Sequence, residues 1–276
     1  MKKTVLITGA STGIGKAAAK YFLEQGWNVA ATMRNPEKER ELTGPQVKLL
    51  QLDVTDSESI RTAVEEAIGH FGKIDAVVNN AGYGAVGVFE ASTAEQIKRQ
   101  FDTNVFGLMN VTSTILPHFR TNKKGIIINV SSIGGRLTFP LYSLYHSTKW
   151  AVEGFSESLH YELKPLGIQV KLIEPGAIKT DFYSRSQDLI NDVNLQEYQS
   201  YFNPVMDQLQ AAGAAGDVPE LVAKTIYKAA SDGSSRLRYP VGKHAKQLLP
   251  LRKLLPEKWF YSIVRANLEK NKGTHS

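Results

Sequence analysis

Thr4-Val-Leu-Ile-Thr-Gly-Ala-Ser-Thr-Gly-Ile-Gly-Lys16 joins a short apolar run to a glycine-rich turn and then to an alanine-rich stretch. The run Thr4–Ile7 is apolar and partly β-branched, which predicts a buried strand. Residues 16–25 predict a helix, with Gly26 just past its end. A glycine-rich turn between a buried strand and a helix is suited to an anion. The glycines let the backbone come close, and the helix N-terminus offers unpaired N–H groups and the positive end of a dipole. The spacing of Gly9, Gly13 and Gly15 is not the G-x-G-x-x-G fingerprint. It is not a P-loop either, because Ala17 stands where a magnesium-binding hydroxyl is needed. Taken alone, the stretch reads equally well as a tight turn without a ligand.

Beyond this turn and helix, residues 28–32 predict a second strand that ends at Met33-Arg34. In a mononucleotide-binding unit this strand end reaches the adenosine ribose, where an acid suits a 2′-hydroxyl and an arginine suits a 2′-phosphate. Thr32, Met33, Arg34 and Asn35 include no acid, so Arg34 predicts NADP(H) over NAD(H). Further strands are predicted at 47–52, 76–78, 126–130, 169–173 and 237–240, separated by helical patterns. Capping boxes mark helix starts at Thr55 with Glu58, Thr93 with Gln96 and Asp217 with Glu220. The alternation predicts a doubly wound parallel α/β sheet in three α/β/α layers. No linker interrupts it, so residues 1–242 read as one domain.

Ser132, Tyr145 and Lys149 form a second informative group. If Ser143–Leu163 is helical, Tyr145 and Lys149 project from one face, four residues apart. A phenol with an unperturbed pKa of about 10 is a poor base at neutral pH, and a neighbouring ammonium favours its phenolate. That pairing is suited to moving a proton. His146 follows Tyr145 but projects about 100° away around the helix, which predicts a packing role.

These motifs, in this order, resemble the short-chain dehydrogenase/reductase superfamily in its compact, hydroxysteroid- and retinol-dehydrogenase-like branch. Thr8-Gly9-x-x-x-Gly13-x-Gly15 looks like its cofactor turn, Leu52-Asp53-Val54-Thr55 like the adenine segment, and Asn79-Asn80-Ala81-Gly82 like its fourth-strand motif. Pro175-Gly176-Ala177-Ile178-Lys179-Thr180 looks like the loop at the nicotinamide end. The resemblance implies a Rossmann-type fold. It also implies cofactor contacts at Gly9, Ser11, Thr12, Gly13, Ile14, Gly15, Arg34, Asp53, Val54, Asn80, Ala81, Gly82, Pro175, Gly176, Ile178 and Thr180, as well as at Tyr145 and Lys149. Asn104, Ser132, Tyr145 and Lys149 match the catalytic four. By that likeness Tyr145 exchanges a proton with the substrate oxygen, and Ser132 hydrogen-bonds the same oxygen. Lys149 lowers the Tyr145 pKa and holds the nicotinamide ribose, and Asn104 anchors a water behind Lys149. The expected activity is NADP(H)-dependent reduction of a ketone or aldehyde, or oxidation of a secondary alcohol. Two alternatives stay open on the same scaffold: a cofactor-sensing regulator without turnover, and an isomerase or dehydratase without net redox.

Residues 181–216 are rich in Phe182, Tyr183, Leu189, Tyr198, Tyr201, Phe202, Val205 and Met206. Such an insertion predicts a lid over a hydrophobic substrate of moderate size, or else a helical pair docked on the body. The net charge of +6 lies wholly in residues 243–276, where eight bases face Glu257 and Glu269. Residues 1–242 are therefore formally neutral, which argues against a nucleic-acid partner. The tail is basic and amphipathic, with Leu248, Leu249, Leu251, Leu254, Leu255, Trp259 and Phe260. It is expected to pack on its own domain or on a neighbouring subunit, with membrane contact as the alternative. The absence of cysteine excludes disulfides and thiol chemistry. H-E-x-x-H and G-x-S-x-G are absent, so no metal site or serine nucleophile is expected. No apolar run reaches membrane-span length, so a cytoplasmic location is expected, and the resemblance implies a homodimer or homotetramer.

Overall fold

β1 (Thr4–Ile7) sends Val5 and Ile7 into one hydrophobic layer and Leu6 into another, and all three are fully buried. A strand with no polar side belongs in the middle of a parallel sheet covered on both faces. The computed structural model, which describes residues 2–180, 182 and 187–268, builds that sheet. The following strands are β2 (Asn28–Met33), β3 (Val47–Gln51), β4 (Ala76–Asn79), β5 (Gly84–Gly87), β6 (Gly125–Val130), β7 (Ile168–Pro175), β8 (Gln187–Ile190) and β9 (Arg238–Val241). All except β5 and β8 form one parallel seven-stranded sheet in the order β3-β2-β1-β4-β6-β7-β9. The order reverses between β1 and β4, which opens a crevice at the carboxyl ends of the strands.

The helices are α1 (Gly13–Glu24), α2 (Ser57–Phe71), α3 (Ala94–Phe101), α4 (Gly107–Thr121), α5 (Ser143–Leu163), α6 (Gln196–Ala214), α7 (Pro219–Ser231), α8 (Lys243–Leu254) and α9 (Glu257–Leu268). On one face, Phe22 of α1 and Ile226 of α7 join Trp27, Val29 and Val78. On the other, Ile60, Ile115, Phe119 and Leu159 from α2, α4 and α5 cover Leu6, Val77 and Ile127. The three-layer α/β/α arrangement is thus the doubly wound, Rossmann-like fold that the alternation predicts.

Helix α5 spans the predicted residues, and Thr93 with Gln96 closes a reciprocal capping box on α3. The other two predicted boxes do not form. The Thr55 hydroxyl donates to Asp53 Oδ1 at 2.7 Å, leaving the Asp56 carboxylate to cap α2 through the N–H groups of Glu58 and Ser59. Asp217 instead accepts from the Lys243 N–H at 2.7 Å, and α7 begins at Pro219 after Val218. Helix α1 starts three residues earlier than predicted, inside the glycine turn itself.

A second, two-stranded parallel sheet pairs β5 with β8 across about a hundred residues of sequence. The segment 181–216 therefore carries a strand and α6, held to the body through Gly84–Gly87. Tyr183 of that segment lies outside the described residues, as do Glu269, Lys270 and Lys272 of the tail. The described tail packs on its own chain. Ala245, Leu249 and Phe260 meet Ile133 and Leu137, while Lys243, Lys246, Lys253 and Lys258 face water. Among the described residues no helix is long and apolar enough to cross a membrane.

Candidate active site

The glycine turn is shaped by contacts that exclude side chains. Gly9 has φ +66° and Gly13 φ +54°, a region that glycine enters without steric cost. A Cβ on Gly15 would overlap the Gly9 carbonyl oxygen and stand 2.5 Å from Asn80 Nδ2. Asn80 Nδ2 donates to the carbonyls of Thr8 and Gly9 at 3.0 and 3.1 Å. The Thr8 hydroxyl accepts the N–H groups of Asn80 and Ala81. The first turn and the β4 end are thus locked together. No side chain caps α1 at Thr12, so its first N–H groups are left for an anion. This is the cradle a dinucleotide pyrophosphate requires, and the residues fit such a group.

Around it lies a cleft of about 850 Å³. Its rim carries Gly9, Ser11, Thr12, Gly13, Ile14, Arg34, Asp53, Val54, Asn80, Ala81, Gly82, Ser132, Tyr145, Lys149, Pro175, Gly176, Ile178 and Thr180. Gly15 supports the cradle from behind, and Asn104 lies beneath Gly82. Arg34 is exposed at the end of β2. Asp53 Oδ1 is engaged by Thr55, while Val54 packs on Gly107 so closely that a Cβ there would lie 2.8 Å from Val54 Cβ. Thr180 lies across from Gly13, so the loop after β7 covers the start of α1.

Lys149 is buried, and its Nζ donates to the Val130 carbonyl at 2.9 Å and lies 5.7 Å from the Tyr145 ring centroid. Burial pushes the Lys149 pKa down to about 8, with Glu153 one turn further on pulling it partly back. Glu153 is itself pushed up by burial, against the opposing pull of Ser131 and of Arg238, whose Nε lies 3.0 Å away. Ser132 ends β6, and its Oγ accepts the Gly134 N–H at 3.0 Å. Asn104 sits in a π-helical turn, Asp102–Phe106, between α3 and α4. Its Oδ1 accepts the Tyr83 N–H at 3.1 Å, and its Nδ2 donates to the Tyr83 carbonyl at 2.9 Å and to Thr148 Oγ1. The amide is therefore occupied on both ends by protein. π-turns recur at functional sites because the wider turn loosens the helical hydrogen-bond ladder.

Phe182 lines the cleft as its place in the substrate segment predicts, whereas the share of the tail in the cleft wall was not legible from sequence patterns. Phe139, Tyr142, Phe182 and Leu209 wall one end, together with His244, Leu248 and Leu268 from the tail. Phe182 packs on Tyr145 with ring centroids 5.1 Å apart. The apolar bias of the tail was visible, but only the tertiary packing turns those leucines toward the cleft. His146 is buried as expected, with Tyr142 stacked at 5.2 Å, yet it also lines the cleft.

Residues 3–189 match the family model described as short chain dehydrogenase. An uncharacterized oxidoreductase of Bacillus subtilis, YusZ, is 40% identical over 278 residues, covering 97% of this chain and 99% of that protein. Among solved structures, a short-chain dehydrogenase from Streptomyces avermitilis superposes with a TM-score of 0.83 at 30% identity, covering 99% of both chains. ElxO with NADP bound gives 0.71 at 30% identity, over 87% of this chain and 98% of that one. A 3-ketoacyl-(acyl-carrier-protein) reductase from Brucella melitensis complexed with NADH gives 0.72 at 27%, over 86% and 96%.

Proposed function

The chain belongs to the short-chain dehydrogenase family of oxidoreductases, and we propose that it is an NADP(H)-dependent carbonyl reductase that also runs as an alcohol dehydrogenase on apolar substrates of moderate size. The observation carrying this reading is the convergence of Ser132, Tyr145 and Lys149 on the cleft that begins at the glycine cradle. The nicotinamide, when bound, supplies or accepts the hydride. The protein manages position and protons. Tyr145 gives its phenolic proton to the carbonyl oxygen in reduction and takes one from the alcohol in oxidation. The Lys149 ammonium, desolvated beside that ring, favours its phenolate over the neutral phenol. The Ser132 hydroxyl donates to the same oxygen as charge develops there. Asn104 acts as a positioning residue: its amide fixes the backbone of Tyr83, and a water behind Lys149 would be held by the backbone of the π-turn.

Residues 1–242 would carry cofactor and chemistry, 181–216 would close over the substrate, and the tail would add the far wall. The apolar lining from Phe139, Tyr142, Phe182, Leu209, Leu248 and Leu268 supports a hydrophobic substrate. Nicotinamide absorbance followed with a panel of apolar ketones, using NADPH and NADH in parallel, tests the activity. No consumption of either cofactor with any ketone would overturn it.

Cofactor choice rests on Arg34, which lines the cleft at the β2 end where the adenosine ribose would be held, with no acid beside it. A charge-assisted contact to a 2′-phosphate is worth roughly 1.5–3 kcal/mol. Arg34→Ala should therefore weaken NADPH about ten- to hundred-fold, with NADH affinity held within about two-fold. Fluorescence titration of both cofactors checks this, and an unchanged NADPH preference would remove Arg34 from the assignment.

A further inference from the structure

His146 is 5% exposed and holds its ring 5.8 Å, centroid to centroid, from that of Tyr145. Its Nδ1 faces the Phe139 N–H at 3.3 Å. An imidazole nitrogen that accepts a hydrogen bond carries no proton, so the proton of the neutral ring is on Nε2. Burial pushes the His146 pKa down to about 4, so the ring is neutral at ordinary pH. Nε2–H has no acceptor among the described residues, and the ring lines the cleft. A Cβ built on Gly134 would stand 2.8 Å from His146 Nε2 and 3.4 Å from Ser132 Oγ. Gly134, having no Cβ, thus lets the loop that carries Ser132 close against the imidazole, and Ser132 and His146 line the same cleft side by side.

We propose that His146 Nε2–H binds a second oxygen of the substrate, on the carbon next to the reacting carbonyl, so that the enzyme selects α-oxygenated ketones over plain ones. This rests on the reading that Ser132 and Tyr145 hold the reacting oxygen. Two adjacent donors suit two adjacent oxygens, and a plain ketone leaves Nε2–H unpaired in a partly dehydrated site. Sites built to hydrogen-bond a substrate group discriminate strongly against the analogue that lacks it.

Benzil and deoxybenzoin form a matched pair with and without the second oxygen. The full-length protein is assayed with NADPH on both, and the ratio of kcat/KM for benzil to that for deoxybenzoin is compared between variants, which cancels the intrinsic reactivity of the diketone. His146→Phe should lower the ratio about ten-fold, chiefly through a raised KM for benzil. His146→Gln has an amide oxygen for the Phe139 N–H and an amide N–H for the substrate, and it should keep the ratio within about three-fold of wild type. An unchanged ratio in His146→Phe overturns the proposal. Isotope-labelled histidine in the wild-type protein gives a reading independent of any variant: the Nε2–H resonance should move when benzil binds with NADP+ and stay in place with deoxybenzoin. Identical spectra overturn the proposal as well. A protein that reduces neither of these two ketones but does reduce other ketones of the panel overturns this inference alone; one that reduces no ketone overturns the carbonyl-reductase reading as well.

Discussion

Tyr145→Phe should lower turnover by about 10³-fold while NADPH still binds within about three-fold of wild type. The phenyl ring keeps the packing against Phe182 and Tyr142, whose ring centroids lie 5.1 and 5.8 Å away, so the fold and the shape of the cleft are retained. Only the proton-carrying oxygen is lost. Hydride transfer to a carbonyl that cannot be protonated builds an alkoxide, and Ser132 alone stabilises it poorly. Steady-state rates together with cofactor titration separate the two effects. Activity above about a tenth of wild type would show that the proton comes from elsewhere.

Lys149→Met should also suppress turnover, by about 10²-fold or more, and at the same time stabilise the fold. Burial takes the ammonium from its ordinary 10.5 down to about 8. That difference corresponds to roughly 3 kcal/mol against the folded state at pH 7, in a group almost wholly removed from water. Loss of the bond from Nζ to the Val130 carbonyl offsets about 1–2 kcal/mol of the gain. A net rise of about 1–2 kcal/mol is therefore expected, or a few degrees in Tm for a chain of this size. The sign of the pH dependence follows from the folded value lying below the unfolded one. The unfolded chain binds the extra proton between about 8 and 10.5, so wild type gains stability as pH rises through that window and the advantage of the variant shrinks. Denaturant unfolding at pH 7 and pH 10 measures this. Equal stability of the two proteins at both pH values would contradict the desolvated ammonium.

Much of this site was legible because its signals are local. Thr4–Ile7 followed by glycines, and Tyr145 with Lys149 one turn apart, each declare their geometry within a few residues. The parts that were not legible depend on partners far along the chain. Gly84–Gly87 has two glycines in four residues and weak strand propensity, and it becomes β5 only because β8 arrives beside it. The Thr55–Glu58 box fails because Asp53 reaches Thr55 first, a competition between two short polar side chains that spacing does not rank. His146 illustrates the same limit. Helical spacing separates it from Tyr145, and the loop of Ser132 to Gly134 then brings the cleft to it. In the tail, Leu248 reads as part of an amphipathic surface; the packing of α8 and α9 on Ile133 and Leu137 makes it, together with Leu268, part of a wall.

If these residues turn over a carbonyl and do more than hold a nucleotide, hydride must reach a substrate carbon. NADPH deuterated at both C4 positions, incubated with the protein and a panel of apolar ketones, tests it directly through mass analysis of the products. The expected product is alcohol carrying one deuterium at the carbinol carbon, with loss of the reaction in Tyr145→Phe. NADPH that binds yet is consumed with none of the ketones would contradict it and leave a cofactor sensor in its place.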